Sequence, residues 1–387
     1  MLLAEQAQFA ANQQDFQRAA ELYEKAASAK SLGLPLQWKY RNQQALMLAE
    51  HGREFRNNTA LEQSIKLFEK TVLELAPKKE RPADWATTQH NFANALGLLG
   101  QRQRATKMLE RAVQVFENAL SVRSQEQEPL VWATTQDNYG NVLGLLGQRQ
   151  ADTGLLQKAI AAFESALEER TRDNAPMDWA ATQNNLGTAL QVLGQKDKDA
   201  RLLKKSVNAY KNVLKEWTRT RVPMSWATTF NNMGTALRLL GEYRKGPRTL
   251  EQSVAAFKNA LAERSRERVP QAWALTQNNL GAALQSLGQR LDEPQLLEQS
   301  IVAFENALLE ITRERTAMSW AMTLANLAAV RMLLAEMTEN SDVALMALHD
   351  FDEAVNYFQE ASHSQYMELG EEQRKKAQAL VAALGEK

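Results

Sequence analysis

The chain has no cysteine among its 387 residues. That excludes a disulfide framework, a thiolate metal site and a cysteine nucleophile. Histidine is scarce: His51, His90, His349 and His363 lie in separate parts of the chain, without an HExxH or any other metal-ligand spacing. Glycines such as Gly140, Gly144 and Gly147 follow no strand-like segment, so they form no phosphate loop. Charge of either sign is not in excess, with 46 Lys+Arg against 46 Asp+Glu. A general grip on a nucleic-acid backbone needs such an excess, and no nucleic-acid partner is expected. No stretch reaches the roughly 18 consecutive apolar residues read as a membrane span, and Met1 to Phe16 lacks the apolar core of a secretory leader. The expectation is a cytoplasmic protein that is not an enzyme, with no metal, no cofactor and no membrane partner.

Tryptophan, by contrast, keeps time. Seven of the eight stand at 38, 85, 132, 179, 226, 273 and 320, each 47 residues from the next, and only Trp217 is off the grid. Pro35, Pro82, Pro129, Pro176, Pro223 and Pro270 each precede a Trp by three residues. Length alone suggests two or three globular domains. A period shared by two residue types over most of the chain means an internal repeat instead.

The copy that begins at Trp179 shows the unit. Trp179, Leu186, Gly187, Leu190 and Leu193 follow helical spacing, and Gly194 stands where a glycine would close a helix. After the polar stretch Gln195 to Arg201, a second helical pattern runs through Leu203, Ser206, Val207, Tyr210, Val213 and Leu214. Proline then opens the next helix from its first turn, where a missing N–H costs nothing. The reading predicts one helical hairpin per repeat, with a first helix of about 15 residues, about 22 Å long at 1.5 Å per residue, and a longer second helix. The expected organisation is an off-register hairpin over 1–37, seven repeats at 38–84, 85–131, 132–178, 179–225, 226–272, 273–319 and 320–366, and a single capping helix over 367–387.

Aligned copies separate two groups of positions. The first is apolar or small. In the second helix it holds an aromatic residue (Phe116, Phe163, Tyr210, Phe257, Phe304, Phe351), and a small residue four before it (Ala112, Ala159, Ser206, Ser253, Ser300, Ala347). Small residues let two helices approach and the aromatic fills the space between hairpins. This signature, with the Leu-Gly pair of the first helix and the closing glycine, resembles the tetratricopeptide repeat. The 47-residue form with P-x-x-W-A-x-T-Q-N-N-L-G is similar to a long bacterial type and to the repeats of kinesin light chains. The resemblance covers essentially the whole chain. It implies an all-α fold, an α-solenoid in which helical hairpins wind into a right-handed superhelix, with first helices lining the concave face.

The second group is polar and equally periodic. Thr88, Thr135, Thr182, Thr229, Thr276 and Thr323 stand three after each Trp; Asn91, Asn138, Asn185, Asn232, Asn279 and Asn326 stand six after. In the family, asparagines of the first helices hold the backbone of a bound peptide, and a carboxamide carries the donors and acceptor that this needs. Positions two, five, nine and twelve after Trp add a polar, nearly uncharged surface. The candidate partner-binding residues are Asn91, Asp137, Asn138, Asn141, Asn184, Asn185, Thr188, Asn231, Asn232, Arg238, Asn278, Asn279 and Gln285. The competing structural reading is local backbone bonding or bonding from one hairpin to the next. Arginines on the second-helix tails, among them Arg170, Arg172, Arg219, Arg264, Arg266 and Arg313, read as a solvated surface paired with interleaved glutamates.

The function expected is protein–protein interaction: an adaptor that takes a peptide segment or partner protein in its groove, similar to the sensing arm of a bacterial regulatory system. The alternative is a scaffold that self-associates through its end repeats.

Overall fold

The computed structural model describes residues 2–29 and 32–385. Every regular element among them is helical. The chain divides into two compact units, residues 1–193 and 194–387. The first unit pairs Leu2–Asn12 with Phe16–Ala27, Leu34–Glu54 with Asn58–Leu67, Pro82–Arg102 with Lys107–Leu120, and Pro129–Gln150 with Thr153–Glu169. The second pairs Pro223–Glu242 with Arg248–Leu261, Pro270–Leu291 with Pro294–Leu308, and Arg313–Thr338 with Ser341–Glu360, and ends in Ser364–Gly385. In each unit the main packing is between helices adjacent in sequence, with lighter contacts between first helices of successive repeats.

The relative helix lengths reverse the expectation. First helices of the Trp85 to Trp273 repeats run 20–22 residues and their second helices 14–17. The first helix begins at the proline, three residues before Trp, and passes straight through the glycine expected to close it. No glycine among the described residues has positive φ, so the periodic glycine is no cap. It is a contact point: a Cβ on Gly241 would lie 2.5 Å from Leu250 Cδ2, and one on Gly100 or Gly288 would lie 2.8 Å from Leu109 or Leu297. In these repeats a leucine near the start of the second helix seats on this bare patch, and Leu109, Leu203, Leu250 and Leu297 are completely buried there.

The second glycine of the first helix serves the aromatic. Cβ atoms at Gly140, Gly234 and Gly281 would fall 2.8–2.9 Å from the rings of Phe163, Phe257 and Phe304. The small residue four before the aromatic is a buried donor where it is serine: Ser253 Oγ and Ser300 Oγ each donate at 2.7 Å to the carbonyls of Gly234 and Gly281. The aromatics Phe116, Phe163, Tyr210, Phe257 and Phe304 are fully buried. The periodic Trp residues are only half-buried, and from Trp85 to Trp320 each is followed by a fully buried Ala.

The Trp38 repeat carries one residue fewer before its core. Gly52, Leu61, Ser64 and Phe68 all stand one position early relative to the other copies. Ser64 Oγ still donates at 2.7 Å to Ala45 O, and Gly52 still faces Leu61. Register is restored by a π-helical turn, Phe68–Val72, which takes up one extra residue before the Trp85 repeat begins.

The last helix starts at Ser364 rather than at 367. Gly370 faces Val355, and Ala377 is fully buried in a cluster with Phe351, Ala347 and Met332. Arg313–Thr338 is, among the described residues, long and apolar enough to cross a membrane. Its Leu324, Leu327, Val330 and Leu334 are core, packed with Phe304 and Phe358.

Candidate functional site

The periodic asparagines form rungs between successive first helices. Asn91 Nδ2 donates to Asn42 Oδ1 at 3.2 Å, Asn185 Nδ2 to Asp137 Oδ1 at 3.3 Å, and Asn279 Nδ2 to Asn231 Oδ1 at 3.2 Å. Asn138 Nδ2 stands 3.4 Å from His90 Nε2. In each case the asparagine six after Trp meets the residue five after the previous Trp, Asn42 being that residue in the shortened first repeat. The periodic threonine joins the same rung: His90 Nδ1 lies 3.1 Å from Thr135 Oγ1, and Thr323 Oγ1 is 3.2 Å from Asn278 Oδ1. The variable type of the position-five residue therefore reflects which side chain accepts from the next repeat. Asn231 also donates to Asn232 Oδ1 at 3.2 Å.

Behind the rungs lies a buried cation. Arg123, Arg170 and Arg264 are 6–8% exposed, although the sequence reading puts Arg170 and Arg264 in solvent. Arg170 donates to Thr182 Oγ1 at 2.9 Å and Thr134 Oγ1 at 2.8 Å; Arg264 donates to Thr276 at 2.8 Å and Thr228 at 2.9 Å. Arg123 bonds Thr135 and Thr87 in the same way. Thr135, Thr182 and Thr276 each send their own hydroxyl proton to a carbonyl one turn back, at 2.8–3.0 Å, which leaves both lone pairs free to accept. A signal in the sequence does reveal this arrangement. The three repeats with this Arg carry Thr two after Trp; the others carry Ala76, Trp217, Ile311 or Phe358 in the Arg position and Tyr40, Ala181, Leu275 or Met322 in the Thr position. The off-grid Trp217 is thus the Trp179 repeat's occupant of the Arg position.

Burial sets the electrostatics of the rungs. Desolvation, reinforced by the nearby Arg123 charge, holds His90 down to about 3. The neutral ring accepts from Asn138 at Nε2, so its proton sits on Nδ1 and donates to Thr135. Burial raises the Asp137 carboxyl, against the opposing pull of Arg170 3.6 Å away.

The outer arginines are interlocks rather than a free ridge. Arg219 reaches Glu263 at 2.6 Å and Arg266 reaches Glu310 at 2.7 Å, each in the turn just after the next second helix, and Arg313 pairs with Glu360. The same guanidiniums sit 5.7–5.9 Å from the ring centres of Trp226, Trp273 and Trp320. The half-buried face of each of these Trp rings is therefore covered by a cation.

With these bonds made, the candidates sort themselves. Asn91, Asn138 and Asn141 come together in the first unit around an open cavity of about 530 Å³, with Asn94, Gly97, Leu98, Gln101 and Leu145. Asn141, Asn185 and Thr188 meet again at a smaller neighbouring cavity of about 170 Å³ against Phe163. Asn94 and Asn141, nine after their Trp, are not drawn into rungs, and Asn141 is exposed. Asn94 was absent from the sequence-based set, although its spacing from Asn141 is the repeat itself. Asn184 is half-buried, its carbonyl accepting from Thr188 at 3.1 Å. In the second unit Arg238 is held by Glu242 at 2.8 Å, and Gln285 is half-buried. Among the described residues no group of three or more His, Asp or Glu side chains is placed to hold a metal ion.

A family model of the tetratricopeptide repeat matches residues 85–126 and 179–216. No curated protein matches the sequence. Among solved structures, the apo form of the quorum sensor NprR from B. thuringiensis is similar over 99% of this chain and 97% of that one, at 15% identity and a TM-score of 0.51. The C-terminal part of a repeat-containing protein of the same kind from Cytophaga hutchinsonii aligns over 82% of this chain and 98% of its own, at 14% identity and a TM-score of 0.45. A Rap protein complexed with competence and sporulation factor aligns over 99% and 98%, at 10% identity and a TM-score of 0.47. At these identities the likeness concerns the fold.

Proposed function

Because the chain is a tetratricopeptide-repeat protein, we propose that it is a non-catalytic interaction module that holds an extended segment of a partner protein along the first helices of its Trp38, Trp85 and Trp132 repeats. The observation that carries this is the cavity of about 530 Å³ lined by the carboxamides Asn94 and Asn141 together with Leu46, Leu98 and Leu145. A carboxamide pairs with both groups of a peptide bond whatever the sequence, and the leucines take alternate side chains of an extended strand. The rung asparagines set the spacing of this surface and do not read the partner. Placement of the protein as a cytoplasmic sensing arm in a bacterial regulatory system belongs to the same proposal and rests on the family resemblance.

A photo-crosslinker at Gln101, read by mass spectrometry of the captured peptide, tests it. One recurring segment is expected, and Asn94→Ala with Asn141→Ala should abolish its capture while helical content and melting stay unchanged. Undiminished capture by the double variant sinks the groove reading.

A second reading, self-association, has one observation of its own. Leu2 and Phe9 of the N-terminal hairpin are 70% and 67% exposed, beside a cavity of about 430 Å³ that also includes Ala10 and Leu22. Light scattering decides: an oligomer in the native chain that Phe9→Glu dissolves supports it, and a monomer in both excludes it.

A further inference from the structure

The second unit contains a cavity whose charge is all of one sign. About 370 Å³ in volume, it is lined by Lys204, Lys211, Arg244, Lys245 and Arg248, with Val207, Leu237 and Leu240 as an apolar floor. No carboxylate lines it. Glu242, at the end of the helix that leads into the loop, is taken by Arg238 at 2.8 Å. Among the described residues none of the five cations makes an ion pair. The groove of the first unit is different: there Glu50 and Arg53 neutralise each other.

The repeats supply an internal control. At the position of Lys204 the neighbouring copies carry Glu110, Gln157, Glu251 and Glu298; at that of Lys211 they carry Glu117, Glu164, Glu305 and Asp352, with Lys258 the basic neighbour. The same hairpin therefore packs with the opposite charge at these sites, and packing does not explain the lysines. Lys204, Asn208 and Lys211 share one face of helix Ala200–Val213. The loop that closes the cavity is strongly basic, with the sequence Arg244-Lys245-Gly246-Pro247-Arg248. Asp152 and Asp199 cap their second helices through their side chains, whereas Pro247, like Thr106 and Glu293 in their repeats, makes no side-chain cap. The N-terminus of Arg248–Leu261 is left with its dipole and the Thr249 hydroxyl beside the cavity.

Five like charges around one space repel unless an anion lies between them. We propose that this cavity binds a small ligand with two or more phosphoryl groups, a nucleoside diphosphate or a compound of like charge and size. Its phosphoryl oxygens meet the lysines, the arginines and the uncapped helix end, and its remaining part lies over Val207, Leu237 and Leu240. The site is separate from the asparagine-lined cavity and stands whether or not that cavity holds a peptide.

Isothermal titration of the full chain with inorganic tripolyphosphate at low salt is the test. Saturable binding at one site per chain is expected. Lys245→Gln with Arg248→Gln should weaken it by about tenfold or more, the scale of two lost charge-assisted contacts. Lys375→Gln with Lys376→Gln, which removes the same net charge from the last helix, should leave it unchanged. Circular dichroism of both variants separates lost binding from lost fold. No binding by the native chain, or equal weakening by both pairs, overturns the site. Tighter binding of a phosphoserine peptide or a single-stranded oligonucleotide than of tripolyphosphate overturns the small-ligand assignment in favour of that macromolecule.

Discussion

At the scale of single residues, His90 is the most exacting position. It is neutral because burial and Arg123 both oppose its charge, and its two nitrogens do different work, one donating to Thr135 and one accepting from Asn138. The folded value of about 3 lies below the ordinary 6.5. Between those values the unfolded chain binds a proton that the folded chain does not, so stability falls as pH drops through that window. The slope from this one group is at most about 1.4 kcal/mol per pH unit. His90→Asn, the residue that the Trp179, Trp226 and Trp273 repeats use there, should flatten the pH dependence of chemical denaturation between pH 6.5 and 4. Parallel curves for the two proteins would contradict it. Bonding from one hairpin to the next was legible as one of two readings of the periodic Asn, but not its partner. A rung joins residues 48 positions apart on two different helices, and helical periodicity speaks only of one helix at a time. The buried arginines were misread for the opposite reason: an Arg on a polar helix tail is usually solvated, and only its pairing with Thr two after Trp marks it as interior.

At the scale of elements, the hairpin was legible because each of its packing positions recurs. Phe163, Ala159 and Leu156 could be aligned with Phe257, Ser253 and Leu250 without knowing what they touch. The misreading was of the glycine. A glycine late in a helical pattern reads as a cap, but these glycines remain helical because the following leucine needs the space a Cβ would fill. Gly241→Ala tests the difference. Alanine gains about 1 kcal/mol in helix propensity, while overpacking against Leu250, which is fully buried and has no room to swing, costs about 1–3 kcal/mol. A net loss in thermal stability is expected. Gly246→Ala, with nothing within 4 Å of the added methyl, should show no such loss. If Gly241→Ala raised the melting temperature, the glycine would be dispensable and the close approach mistaken.

At the scale of the whole molecule, the important property is that main contacts are local in sequence within each unit. Stability in such an array approximates a sum of repeat and neighbour terms. Removing 364–387 uncovers Val355, Phe358 and Phe351, and hydrogen exchange should speed in Ser341–Glu360 while Pro223–Glu242 keeps its protection. Equal loss of protection in both would mean that the second unit unfolds as one block. The 47-residue period announced this architecture, since it survives intact from Trp38 to Trp320. The π-helical turn at Phe68–Val72 shows how strongly that period is kept: a residue missing early in the Trp38 repeat is made good before the next begins.

The rungs also make the repeats interchangeable. Thr three and Asn six after Trp recur in every copy from Thr88 and Asn91 to Thr323 and Asn326. What varies is the residue five after Trp and the buried Arg behind it, and the Arg travels with a partner of its own repeat: Asp137 and Arg170 belong to one repeat, as do Thr134 and Arg170, Thr87 and Arg123, and Thr228 and Arg264. An in-register duplication or excision of 47 residues therefore delivers the same Thr and Asn to whatever precedes it and keeps each buried Arg with its own-repeat Thr. A chain so built can change its length by whole repeats in a single genetic step.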